Sequence, residues 1–274
     1  MTPSPSFGLL LFSTDCELIP RAIAAGVSGV VVDWERAGKE HRQSRADTQI
    51  NPDTLDDLRR VRAATSAPVI CRINGPGFAT EQEIERAVAA GADELLVPMV
   101  QSPRDVTAVL RQVGSRCRVG IMLETVGAVE CARELGDLPL ARTYVGLNDL
   151  GLQRRTPNIF TALVDGTVEG MRGFFDGPFG VAGLTLPKLG TPIPCRLLIG
   201  EMARLQCDFS VLRRSFLRDT QGLDLAREVP RLRQALAEAN DRSAPDVMKD
   251  RIELQAAVAA WDGVVRAEQM ARGM

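Results

Sequence analysis

The chain has 274 residues, of which 45% are hydrophobic, and its formal net charge is −2. This length and composition predict one large globular domain with a sizeable core, and the near-neutral charge argues against a nucleic-acid partner. No run of about 18 consecutive apolar residues is present, so the sequence predicts no membrane-spanning helix. The opening stretch MTPSPSFGLLLF lacks a basic segment and has only a short apolar run, so we expect no signal peptide.

Cysteine and histidine usage narrows the chemistry further. Six cysteines are scattered along the chain without any CxxC pair. That pattern predicts reduced, mostly structural cysteines in a cytoplasmic protein and gives no zinc site. His41 is the single histidine, so a metal centre built from several histidines is excluded.

Eight continuous apolar runs indicate eight strands. They begin near Phe7, Gly29, Pro68, Glu94, Arg118, Arg142, Gly180 and Phe209. Continuous runs, unlike alternating ones, are typical of strands that are covered on both faces. Helical patterns such as LDDLRRVRAA and TEQEIERAVAAG lie between the runs. Eight strands that alternate with helices predict a (β/α)8 TIM barrel, which we assign to residues 1–243 as the catalytic domain.

One pattern occurs twice, in RAIAAGVSGVVVDW and RAVAAGADELLVPM, where a helix ends at a glycine and a strand follows. Gly26 and Gly91 are therefore expected in the left-handed conformation that follows helix ends. Two connections are longer than the others, one after GVVVDW and one after RTYVGLND. Both lie in loops between a strand and the following helix, which open on the catalytic face of a barrel, so we expect them to border the active site. The alternative is ordinary growth of surface loops without a function.

Residues 244–274 lie beyond the predicted barrel and form an additional C-terminal helix in our prediction. The apolar residues Leu254, Val258, Trp261 and Val265 fall on one of its faces at helical spacing. A barrel does not need this helix, so we predict that it packs on a neighbouring subunit. Closure of the bottom of the barrel is the alternative.

Two acidic residues, Glu124 and Asp149, each follow an apolar run and lie 25 positions apart. This separation is about one strand–helix–strand repeat, so both carboxylates are expected side by side at the carboxyl edge of the sheet. Adjacent carboxylates repel, become neutralised or share a cation. We predict that they share Mg²⁺ or Mn²⁺, which accept few protein ligands. The alternative is a helix N-cap role for Asp149 and a solvated rim position for Glu124.

Other polar residues close the predicted strands and converge on the same mouth. The strand ends are Asp33-Trp34-Glu35, Arg72-Ile73-Asn74, Pro98-Met99, Glu124-Thr125, Asn148-Asp149, Pro187-Lys188 and Arg213-Arg214-Ser215. Guanidinium groups in this set suit a carboxylate or a developing enolate oxygen. We predict substrate contacts from Arg72, Pro98, Met99, Thr125 and Asn148. A salt bridge from Arg72 to Asp33 or Glu35 is the alternative, and the roles of Trp34, Lys188 and Arg214 stay open.

Five of these motifs resemble the HpcH/HpaI aldolase/citrate lyase family, within the pyruvate/phosphoenolpyruvate-binding barrel superfamily. The motifs are VVVDWE, ICRIN, ADELLVPMV, IMLETVGAV and VGLNDL, in family order between about residues 7 and 216. The resemblance implies that Glu124 and Asp149 hold a divalent metal, usually Mg²⁺, and that Arg72 contacts the oxo or enolate oxygen of the substrate. It also implies a homo-oligomer, a trimer or a hexamer. A metal that chelates a 2-oxo acid makes the enolate accessible near neutral pH.

Two positions depart from the pyruvate aldolases of this family. Arg36 stands where they carry a histidine after the acidic pair, and Met122 stands where they tend to carry a glutamine. The stretch LETVGAV is nearer to the citrate-lyase-like branch, which acts on acyl thioesters. The general base is therefore left open between His41, a metal-bound water, Asp33 and Glu35. A solvated loop position is the alternative for His41.

Three functions follow from this resemblance. The first is a metal-dependent carbon–carbon lyase of the aldolase type that acts through an enolate of pyruvate or a related 2-oxo acid. The second is a lyase, synthase or thioesterase on a malyl-like thioester. The third is a non-catalytic binding member of the family.

Overall fold

The computed structural model describes residues 7–36, 53–156 and 158–272, and its eight strands close into one parallel barrel. The strands follow one another around the barrel in chain order, and the last pairs with the first. Their bounds are β1 Gly8–Phe12, β2 Gly29–Asp33, β3 Val69–Arg72, β4 Glu94–Val97, β5 Arg118–Leu123, β6 Thr143–Val145, β7 Phe179–Leu184 and β8 Phe209–Leu212. Every strand begins within one residue of its predicted start, and the predicted TIM barrel is confirmed.

Helices connect the strands on the outside of the barrel. Their bounds are α1 Leu18–Ala24, α2 Leu55–Ala64, α3 Glu81–Ala89, α4 Pro103–Val113, α5 Val126–Glu130, α6 Ala132–Gly136, α7 Leu147–Arg154, α8 Thr161–Val164, α9 Thr167–Arg172, α10 Cys195–Arg204, α11 Arg214–Asp219, α12 Leu225–Asn240 and α13 Ala244–Arg272. A capping box starts α2, because Thr54 and Asp57 each accept a hydrogen bond from the backbone N–H of the other. Gly26 and Gly91 have φ values of +111° and +91°, as predicted for glycines after helix ends.

Three predicted strand ends are wrong. The eighth strand stops at Leu212, and Arg214 and Ser215 of its predicted end already lie in α11. The sixth strand stops at Val145, and Asn148 and Asp149 lie in the first turn of α7 instead. The chain turns into the helix there because the carbonyl of Gly146 already accepts from Leu150 N–H. The seventh strand ends at Leu184, before the predicted Pro187-Lys188 end.

The interior of the barrel is packed and its amino end is closed. The interior cluster consists of Leu10, Phe12, Val31, Ile70, Leu96, Met122, Tyr144, Phe209 and Val211. At the amino end, Arg142 donates to the fully buried carboxylate of Glu94 at 2.5 and 2.9 Å and lies over the ring of Phe209. Filling of the interior leaves the carboxyl ends of the strands as the open mouth.

The C-terminal helix α13 packs along its first half against the chain's own barrel. Leu254 and Val258 are buried, and Arg251 donates to Glu201 of α10 at 2.6 Å. Trp261 and Val265, on the same predicted face, are only half-buried. The additional helix is therefore confirmed, whereas its packing on a neighbouring subunit stays a prediction. In the described part of the chain, no helix has the length and apolar character that crossing a membrane requires.

Candidate active site at the barrel mouth

The alternation of side chains along the strands sets which residues reach the mouth. Side chains two positions apart point to the same face of a strand. Val31, Ile70, Met122 and Val211 face the barrel interior. The residues two positions further along each strand are Asp33, Arg72, Glu124 and Arg213. The last interior layer of the barrel is thus built from carboxylates and guanidiniums.

Arg72 is held by two buried carboxylates. Asp33 lies opposite Arg72 in the β2–β3 register, and its oxygens accept from Nε at 2.8 Å and from Nη2 at 2.5 Å. Glu35 Oε2 lies 3.2 Å from Nη1, and the guanidinium also lies over the ring of Phe12. Burial alone would lower the pKa of Arg72, but the charges of Asp33 and Glu35 outweigh it and raise that pKa. Arg72 is therefore a fixed cation, and the alternative of a salt bridge to Asp33 or Glu35 is present in the structure.

Glu124 is a buried carboxylate with two other carboxylates, Asp149 and Glu35, close enough to repel it. Its Oε1 accepts from the backbone N–H of Met99 at 2.9 Å, and its side chain lies against Gly146, which leaves no room for a Cβ atom. Burial, followed by the charges of Asp149 and Glu35, raises the pKa of Glu124 to about 8, although Arg72 opposes this shift. The alternative of a solvated rim position for Glu124 is therefore wrong, because the side chain is only 1% exposed.

Asp149 lies in the first turn of α7 and is buried beside Glu124. The N-cap of α7 is Gly146, so the alternative of an N-cap role for Asp149 is wrong. The neighbouring Asn148 has a buried side-chain nitrogen without a hydrogen-bond partner in the described part of the chain. Asn148 directly precedes Asp149 in α7, and a bound group within reach of this nitrogen would complete its hydrogen bonding.

The donor set of Glu124 and Asp149 fits a small divalent cation. Mg²⁺ is usually bound through one or two carboxylates and keeps several waters. A cation between the two carboxylates would relieve the repulsion that raises the pKa of Glu124. Within residues 7–36, 53–156 and 158–272, no cluster of three or more His, Cys, Asp or Glu side chains is placed to hold a metal. A two-carboxylate site with water ligands is thus the arrangement that these residues support.

Other predicted residues have local roles. Thr125 caps α5 by accepting from Ala128 N–H at 2.9 Å, and its hydroxyl donates to the carbonyl of Val100. Met99 has a φ of +54°, which turns its N–H towards Glu124, and Pro98 precedes it. These contacts bring Pro98 and Met99 to the mouth, whereas the hydroxyl of Thr125 is used by the helix cap.

The loop residues after β2 and β7 lie further out. The Trp34 indole donates to Thr54 O at 3.0 Å, so Trp34 packs under α2. Arg36 is exposed and donates to Asp53 O at 2.7 Å, and Lys188 is also exposed. His41 lies outside the described residues.

Sequence reasoning singled out Arg214, but Arg213 is the arginine that faces the mouth. Its guanidinium lies 4.4 Å from the ring centroid of Phe12 and 3.9 Å from Asp33 Oδ2, whereas Arg214 is exposed at the start of α11. The signal was available, because Phe209, Val211 and Arg213 share one strand phase. Tyr144, a buried interior residue whose hydroxyl donates to Ala182 O at 3.2 Å, was also missed.

A closed parallel barrel whose mouth gathers carboxylates and arginines defines a protein of the TIM-barrel fold class. Residues 6–133 match the family described as HpcH/HpaI aldolase/citrate lyase, a range that includes Asp33, Arg72 and Glu124 but ends before Asp149. The predicted resemblance of this chain to that family is confirmed over these residues. No curated protein matches the chain.

A solved structure shares the fold. The crystal structure of an HpcH/HpaI aldolase from Desulfitobacterium hafniense DCB-2 aligns with a TM-score of 0.59 at 12% identity. The alignment covers 80% of this chain and 90% of the other. At this identity the likeness supports the barrel architecture, and the chemistry has to be argued from the side chains themselves.

Proposed function

We propose that the protein is a divalent-metal-dependent carbon–carbon lyase that acts through the enolate of pyruvate or a related 2-oxo acid. The observation that carries this proposal is the buried carboxylate Glu124, whose pKa is raised to about 8 beside Asp149 and which faces the fixed cation Arg72. Neighbouring buried carboxylates with a raised pKa at a barrel mouth are typical of a functional site, and a shared cation would relieve their repulsion.

Glu124 and Asp149 are the residues that would hold the metal, and Mg²⁺ suits their oxygen donors. When bound, such a metal acts as a Lewis acid that polarises the 2-oxo group and stabilises the negative charge of the enolate. Met99 fixes Glu124 through its backbone N–H, and the lack of a side chain at Gly146 makes room for the carboxylate.

Arg72 would bind the oxo oxygen and stabilise it as charge develops. Its position is set in advance, because Asp33 holds Nε and Nη2 while Glu35 lies against Nη1. Donors fixed before the reaction avoid a reorganisation cost in the transition state. Asp33 accepts from Arg72 with both oxygens, which favours a positioning role for Asp33 and leaves Glu35, His41 and a metal-bound water as candidates for the base.

The test is exchange of solvent deuterium into the pyruvate methyl group, with and without Mg²⁺. We expect Mg²⁺-dependent exchange in the wild type and its loss in Glu124→Gln, with the fold retained because glutamine has the shape and neutral charge of the protonated Glu124 that the metal-free protein holds below about pH 8. Glu130→Gln is the matched control, since Glu130 is exposed at the end of α5. Exchange that persists in Glu124→Gln would overturn the assignment of the metal site.

A second candidate is a lyase, synthase or thioesterase on a malyl-like thioester. The observation that favours it is Met122, whose sulfur lies 3.7 Å from Arg72 Nη1 at the position where pyruvate aldolases tend to carry glutamine. Saturation by a malyl-like CoA thioester, without deuterium exchange into pyruvate, would support this candidate over the first.

A further inference from the structure

Arg213 is a second guanidinium at the mouth, and it differs from Arg72 in how it is held. Arg72 is 3% exposed and gives Nε and Nη2 to Asp33. The Arg213 side chain is 35% exposed, and Asp33 Oδ2 lies 3.9 Å from its Nη2, beyond hydrogen-bond distance. Within the described residues, the Arg213 guanidinium donates no hydrogen bond, and the face of Phe12 supports it from one side. Its donors are therefore available to a ligand that enters the mouth.

The electrostatic surroundings of Arg213 favour an anion. Burial, followed by repulsion from Arg72, lowers the pKa of Arg213, while Asp33 opposes this shift. Asp33 already accepts a hydrogen bond from Arg72, so it compensates the positive charge of Arg213 only in part. A carboxylate placed against Arg213 would supply the missing negative charge and match the planar fork of donors.

The position of Arg213 defines which part of a substrate it reaches. Arg213 follows β8, which neighbours β1, whereas Glu124 follows β5 across the closed ring of eight strands. Arg72 and Arg213 share the Phe12 ring and the Asp33 oxygen Oδ2, so they lie next to each other. Arg213 therefore lies within reach of the other end of a molecule whose oxo group lies between Glu124 and Arg72.

We propose that Arg213 binds a second carboxylate, carried by the substrate at the end away from its 2-oxo group. The protein then selects 2-oxo acids with an anionic tail over those with a neutral tail of equal length. This inference rests on the proposed function, which supplies the position of the 2-oxo group. Arg213 acts in it as a specificity-determining residue.

The test compares 2-oxopentanedioate with 2-oxopentanoate, two acids of equal chain length that differ in the charge of the tail. Calorimetric titration in the presence of Mg²⁺ gives the two dissociation constants without turnover. We expect wild type to bind the diacid about tenfold or more tightly, as for a hydrogen bond to a charged group. Arg213→Gln should abolish this preference and Arg213→Lys should restore part of it. Arg214→Gln, which makes the same charge change at an exposed neighbour, should keep the preference.

The outcomes separate the two ideas. Equal affinity for both acids in wild type, or a preference that survives in Arg213→Gln, would overturn the role of Arg213 and leave the proposed lyase function standing. A diacid preference that depends on Arg213, together with no deuterium exchange into pyruvate, would support Arg213 and count against the proposed reaction. Binding of neither acid would overturn the role of Arg213, and exchange of deuterium into pyruvate would then decide the proposed lyase function separately.

Discussion

The ion pair between Arg72 and Asp33 gives the sharpest prediction for stability. Both side chains are buried, with exposed fractions of 3% and 0%, and two short hydrogen bonds of 2.5 and 2.8 Å join them. Removal of one partner from a buried pair costs about 3–5 kcal/mol, because the other charge stays buried without compensation. Asp33→Asn removes the negative charge and keeps one acceptor oxygen.

One feature of the mouth places the expected cost at the lower end of this range. Glu35 Oε2 still lies 3.2 Å from Arg72 Nη1 and continues to compensate the charge of Arg72. We therefore expect Asp33→Asn to lower the free energy of unfolding by about 3 kcal/mol. That is a large part of the roughly 5–15 kcal/mol that stabilises a typical domain.

Urea denaturation of the metal-free protein measures this loss. The matched control is Asp56→Asn, because Asp56 pairs with Arg59 across 3.2 Å on the surface of α2, with exposed fractions of 84% and 60%. A surface pair of this kind contributes at most about 1 kcal/mol. If the two variants differ from each other by less than about 1 kcal/mol, the reasoning that Arg72 depends on Asp33 is refuted.

Three further predictions concern the mouth. The folded protein keeps a proton on Glu124 up to about pH 8, whereas the unfolded chain releases it near pH 4.5. The free energy of unfolding of the metal-free protein should therefore decrease as the pH rises from 4.5 to about 8. Urea denaturation midpoints should show this decrease in the wild type and not in Glu124→Gln. Gly146→Ala would place a Cβ atom against the Glu124 carboxylate, so calorimetry should show an affinity for Mg²⁺ that is reduced about tenfold or more. Gly170→Ala is the control, because a Cβ atom there meets nothing within 4 Å, and it should bind Mg²⁺ as the wild type does. Thr125→Ala should cost about 1 kcal/mol in urea through the lost cap of α5. A raised KM for pyruvate in Thr125→Ala would instead support the predicted substrate contact.

The beginnings of the strands could be predicted because each is a continuous apolar run. The ends were harder, because a helix can start while the apolar pattern continues, as it does after Val145. The choice between Arg213 and Arg214 required the phase of β8, which Phe209 and Val211 fix. Neighbouring arginines look alike in composition, and only the alternation of a strand decides which one faces the interior.

The burial of Glu124 is a tertiary property that no local pattern reveals. A carboxylate after a strand resembles a solvated rim residue unless something satisfies it in the interior. Here Met99, from the neighbouring strand connection, supplies the N–H, and it does so in a backbone conformation with φ of +54°. Non-glycine residues take this conformation at a cost, so the contact depends on the surrounding barrel.

The charges at the mouth also couple Glu124 to the proposed metal. In the described part of the mouth, the carboxylates of Asp33, Glu35, Glu124 and Asp149 face the guanidiniums of Arg72 and Arg213. With every group ionised this set has an excess of negative charge, which a divalent cation would offset, and without the cation Glu124 holds a proton instead. Binding of Mg²⁺ at pH 7 should therefore release about one proton. Calorimetry in buffers with different ionisation enthalpies measures that number, and Mg²⁺ binding without proton release would show that Glu124 is not the group displaced by the metal.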